Sequence, residues 1–150
     1  MTLFDCLNEM RNHGGDARTV GLSDEIITKF AKLDSKLEEA VFAAHEAFQE
    51  LQQEEPELLA LDETAQAAAI QEGYVNFYAD DAVNPYISLA ARGPWIVSLK
   101  GAVLYDVGGY GMIGAGHAPK TVLDAMNKPH VMANIMTPNI SQKRMAERLR

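Results

Sequence analysis

Apolar residues recur at Ile26, Phe30, Leu33, Leu37, Val41, Ala44, Phe48 and Leu51, always three or four positions apart, with charged and amide residues between them. That period draws one apolar stripe along a helix. Ser23 stands where an N-cap is needed, and Asp24 and Glu25 suit the positive end of the helix dipole. Glu54-Glu55-Pro56 ends the pattern, because proline lacks a donor and clashes with the preceding turn. The spacing therefore predicts a single helix from Ser23 to this stop. It is long enough for a coiled coil, and its stripe must pack on the rest of the chain or on a second copy. Residues 1–22, with Gly14-Gly15 and Gly21, read as a short helix followed by a loop. Asp62 is placed to cap a further, alanine-rich helix over Glu63 to Ile70, with Gly73 near its end.

Beyond Asp80 the period changes. Asp80-Asp81 and Asn84-Pro85 mark a loop. Trp95 to Leu99 reads as a strand with Trp95 in the core, Lys100-Gly101 as a turn, and Ala102 to Asp106 as a returning strand, which makes a hairpin. Glycines then fall at 108, 109, 111, 114 and 116. Each would cost about 0.5–1 kcal/mol relative to alanine inside a regular element, so the run is a loop. A glycine-rich loop between strand and helix is a place to hold a small molecule. Pro119 suits the first position of the next helix, with Val122, Leu123 and Met126 on its apolar side and Pro129 after it. Ser141 is placed to cap a last helix carrying Met145 and Leu149. That helix reaches Arg150 with no C-capping residue, so the polypeptide is expected to continue. The fold class expected is an α+β fragment: N-terminal helices, a small β-hairpin and following helices. Residues 1–82 read as an acidic helical extension and 83–150 as a separate segment.

Charge narrows the partners. The chain has 150 residues and a net charge of −8. Residues 1–75 carry −11 and residues 76–150 carry +3. Neither half offers the basic stripe that phosphates require, so no nucleic acid and no membrane surface is expected as a partner. No apolar run approaches the ~20 residues of a membrane helix. The start, Met1 to Cys6, has no signal-peptide pattern. Cys6 is the single cysteine and reads as a buried thiol rather than a nucleophile, and a cytoplasmic location follows as the default. His117 has no second ligand at metal spacing, so no metal is expected, and it reads as a histidine bonded to backbone in a tight turn.

Gly109-x-Gly111-x-x-Gly114 matches the dinucleotide fingerprint in form. That fingerprint needs a parallel crossover and a helix opening within the motif. Here two more glycines lie before Pro119, and no acid stands about 20 residues further on to hold a ribose.

Gly93-Pro94-Trp95-Ile96, then Gly101 to Asp106, then Gly109, then Gly116-His117-Ala118-Pro119 resembles the N-terminal segment of class III aminotransferases. The helix Lys120 to Met126 and the tail Ser141 to Leu149 resemble the two helices that follow in that family. The resemblance covers about residues 83–150 and implies the start of a fold-type-I α/β enzyme, a homodimer that uses pyridoxal 5'-phosphate. Such an enzyme moves an amino group from an amino acid or amine donor to a 2-oxo acid. It also implies that the Gly108–Gly116 loop lines the substrate entrance, with Tyr110, Gly109 and Gly108 as substrate-binding residues. Arg92 could meet a substrate carboxylate, or be a solvated arginine. The lysine that holds the cofactor lies downstream in the family, so no catalytic or cofactor-binding residue is expected in this chain, which should not bind the cofactor alone. Lys100, Lys120, Lys128 and Lys143 are expected at the surface. Departures are Ser98 where an acid is usual, Lys100 before the turn glycine, a shorter Gly-His-Ala-Pro element and a longer helical front. The alternatives are a helical interaction module built on Ile26–Leu51 and the dinucleotide-binding domain.

Overall fold

The computed structural model describes residues 1–73, 85–107, 114–129 and 138–150. These divide into two compact units, Met1–Pro119 and Lys120–Arg150.

Local signals set most helix starts in the first unit. Helix α1 (Leu3–Arg11) opens on a capping box in which Thr2 and Asp5 each satisfy the other's backbone amide. Ser23 caps α2 (Asp24–Ala31), as its position predicts. The expected single helix then breaks. Lys32 and Leu33 form a turn, and Asp34 leaves helical geometry to cap α3 (Ser35–Glu54). Its Oδ1 accepts from Lys36 N at 3.0 Å, while its Oδ2 accepts from the indole Nε1 of Trp95 at 2.8 Å. A short acidic side chain that bonds backbone and a distant indole together favours a new helix start over continuation. The stripe is split accordingly: Leu37, Val41, Ala44 and Phe48 are buried, whereas Ile26, Phe30 and Leu33 are exposed, Leu33 at 72 %, and α2 buries Ile27, which is off the stripe. Pro56 opens the short α4 (Pro56–Ala60), and Asp62 caps α5 (Glu63–Gln71) through Ala65 N at 2.8 Å.

The hairpin forms where expected, as β2 (Trp95–Ser98) and β3 (Val103–Tyr105). A further strand, β1 (Ser88–Arg92), pairs antiparallel with β2, giving the order β1-β2-β3. Every residue of β2 is buried, and α3 packs against β1 and β2 while α1 and α2 pack on α3. Leu7, Met10, Ile27, Val41, Phe48, Trp95, Val97 and Val103 share one apolar cluster. Helices from the first 72 residues and strands after residue 85 therefore fill the same core; the segment boundary read at 82/83 lies outside the described residues. Trp95 is also ringed by aromatics, with Phe30 and Tyr105 at centroid distances of 5.4 and 5.0 Å. The described chain is thus α+β, with a small antiparallel sheet.

In the second unit, α6 (Lys120–Met126) follows Pro119, and α7 (Ile140–Leu149) starts on a capping box. The cap is Asn139, paired with Gln142, and not Ser141. Asn139 holds extended backbone at φ −137°, which an N-cap requires, whereas Ser141 already lies inside the helix. Neither helix buries a residue. Among the described residues no helix is long and apolar enough to cross a membrane.

Candidate functional site

Tyr110, Gly109 and Gly108, the residues expected to bind substrate, lie outside the described residues. What is described is the neck from which their segment emerges. β3 ends at Tyr105, and Asp106 N donates to Pro94 O at 2.8 Å. The chain returns through Gly116 and His117. His117 N donates to Gly93 O at 2.8 Å, and Gly93 N donates to His117 O at 2.9 Å. Gly93 and Gly116 both have positive φ, at 54° and 75°, and their backbones touch: a Cβ on Gly116 would sit 2.9 Å from Gly93 Cα. Only glycine allows this approach at this φ.

The side chains close the same neck. His117 Nε2 lies 2.9 Å from Asp106 Oδ2, with both groups about four-fifths buried. The sequence placed this histidine against backbone; its main chain does bond Gly93, but its ring turns to the Asp106 carboxylate. A carboxylate on one ring nitrogen fixes the orientation of an imidazole. The next residue, Ala118, has φ 45° and is the non-glycine with positive φ among the described residues. That conformation costs roughly 1–2 kcal/mol for an L-residue. It is further disfavoured because Pro119 follows, which biases its predecessor to extended backbone.

Lys100 overturns its surface assignment. It is 3 % exposed, and its Nζ donates to Gly15 O and Leu61 O at 2.8 Å and to His13 O at 3.2 Å. Gly101 at φ 69° makes the β2–β3 turn that aims it inward. Burial pushes the ammonium pKa down, while Glu63, Asp62 and Asp16 act to raise it. Three carbonyl acceptors match the three protons of an ammonium, so this lysine is a tie between loops, not a free amine. Glu63, also buried, holds the other side of the same loop: its Oε2 accepts from Arg18 N and Thr19 N, each at 2.6 Å. No sequence pattern marks Glu63 as such a tie. Its only signal is its place beside the Asp62 cap.

Lys120 and Lys143 are exposed and pair with Asp124 and Glu147 one turn on, as surface lysines do. Lys128 is exposed. Arg92 is half-buried, and its Nη1 donates to Ala91 O at 2.7 Å, on its own strand. Cys6 is fully buried, and burial pushes its thiol pKa up. Among the described residues no cluster of three His, Cys, Asp or Glu is placed to hold a metal. A surface cleft of about 450 Å³ is lined by Asp16, Arg18, Asp62 and small residues of α5. Its two carboxylates disfavour a phosphate. The described residues accordingly do not fit pyridoxal phosphate: the one buried lysine is saturated by carbonyls, and the others are solvated.

Comparison with protein-family models, with curated proteins and with solved structures finds no match for this chain.

Proposed function

We propose that this chain is the N-terminal portion of a class III, pyridoxal-phosphate-dependent aminotransferase of fold type I, acting as a homodimer in the cytoplasm. The reaction is transfer of an amino group from an amino acid or amine donor to a 2-oxo acid. One observation carries the reading. The residues on which the resemblance rests are scattered along the sequence, yet Gly93-Pro94, Asp106 and Gly116-His117 converge on one neck through three backbone hydrogen bonds and a side-chain pair. The neck serves an antiparallel ribbon, not the parallel crossover that a dinucleotide fingerprint needs. The split of the Ile26–Leu51 stripe removes the continuous seam on which helical pairing would depend. In this reading the chain shapes the substrate entrance, and the cofactor is held by sequence beyond it.

The test is to express the reading frame through and past Arg150, add pyridoxal phosphate and record the visible spectrum. Support is a cofactor band that borohydride fixes covalently to one lysine, with amino transfer to a 2-oxo acid. Absence of both in a folded polypeptide overturns the reading.

A further inference from the structure

We propose that Asp106 and His117 are a pair of positioning residues that latch both feet of segment 107–116 onto the Gly93-Pro94 turn. The outgoing foot is fixed by Asp106 N on Pro94 O, and the returning foot by the two-way bridge between Gly93 and His117. The Asp106–His117 contact joins one foot directly to the other. The other bonds given for the neck run from each foot to the β1–β2 turn, so this contact is the direct link between the feet among those described.

Strain beside the neck supports the assignment independently. Ala118 sits at φ 45° immediately before Pro119, a conformation the residue would leave if its surroundings allowed. Such strain persists where neighbouring contacts over-determine the backbone. The contacts that do so are those of His117, one residue upstream. The close seating of Gly116 on Gly93 has the same consequence, since it leaves no room for the returning strand to shift inward. The latch therefore fixes where a glycine-rich segment leaves and rejoins the sheet, whatever that segment binds. It stands on geometry and does not require the aminotransferase reading.

The experiment is native-state amide exchange on the chain itself, comparing wild type with Asp106→Asn, His117→Gln and the double variant. Exchange at the Gly93 and His117 amides is the readout, with Val97 in β2 as the internal reference. The expected result is at least tenfold faster exchange at the two neck amides in each single variant. The double variant should exceed the singles by no more than twofold, since either substitution already opens the latch. Ring ¹⁵N spectra provide a second signature: the His117 Nε2 resonance is expected to shift in Asp106→Asn, because a neutral amide replaces the carboxylate that faces that nitrogen. Neck exchange within twofold of wild type in both single variants overturns the proposal. So does a double variant whose acceleration is the product of the two single effects, because the residues then act separately. If Asp106→Asn loses the fold, shown by faster exchange at Val97, His117→Gln alone decides by the same tenfold criterion.

Discussion

Replacing Lys100 with methionine keeps an unbranched apolar stem and removes a charge that three backbone carbonyls share. The ammonium joins the loop after α1, at His13 and Gly15, to the end of α4, at Leu61. Each buried carbonyl left without a donor costs about 1–3 kcal/mol. A hydrogen bond from a charged donor contributes about 1.5–3 kcal/mol net. Two effects reduce the sum. The variant no longer desolvates an ammonium, and Gly15 and His13 are half-buried and Leu61 is exposed, so water can reach part of what is freed. The expected loss is about 2–4 kcal/mol, a large share of the 5–15 kcal/mol that holds an ordinary domain together. Urea unfolding followed by the fluorescence of Trp95, the single tryptophan, measures it. Lys128→Met is the control, expected within about 0.5 kcal/mol of wild type because its side chain is solvated. The pH dependence has a definite sign. The folded-state pKa of Lys100 lies below its ordinary value, so the folded chain binds fewer protons than the unfolded chain in the window between the two. Stability of wild type relative to Lys100→Met should therefore grow as pH rises through that window, and be constant below it. Equal midpoints for Lys100→Met and Lys128→Met would refute the reasoning.

Asp34→Ala removes the α3 cap, worth about 1 kcal/mol, and leaves the Trp95 indole N–H without its acceptor, worth about 1–3 kcal/mol more; urea unfolding should show both losses together, and a total below about 0.5 kcal/mol would refute the double role. Cys6 should resist thiol reagents in the native chain and react fully only on unfolding, since it is buried with a raised pKa; prompt stoichiometric labelling in native buffer would contradict this. The Asp5 carboxyl is held below its ordinary pKa, chiefly by the backbone amide of Thr2. Its contribution is present above the unfolded-state pKa and is lost as pH falls through the folded value, so the first turn of α1 should lose amide protection in strong acid, and Asp5→Asn should remove that pH dependence.

Elements specified by neighbours in sequence were legible. Ser23, Asp62, Pro56 and the Trp95–Tyr105 ribbon each act within a few residues, and each appears where the chain predicts it. The break at Asp34 was not legible, because apolar spacing runs through it unchanged. Its cause is an indole 61 positions away. β1 was missed because Ala90-Ala91 carry little strand preference and only pairing with β2 makes them extended. Lys100 defeats a composition argument for the same reason: its acceptors come from residues 13, 15 and 61, and no local pattern announces them. At the neck, the sequence marked Gly93, Asp106 and His117 individually. Their meeting needed the fold, since Asp106 and His117 lie on opposite sides of a glycine-rich run.

The shared core has a consequence during synthesis. α3 is complete at Glu54, but the strands packed against it, β1 and β2, are not finished until Ser98. At about 5–20 residues per second, a ribosome needs roughly 2–9 seconds to make the intervening stretch. For that interval α1 and α2 are available to α3 but its sheet-packing side faces water or a chaperone, so variants that slow translation between α3 and β2 should aggregate more than the same delay placed after β3.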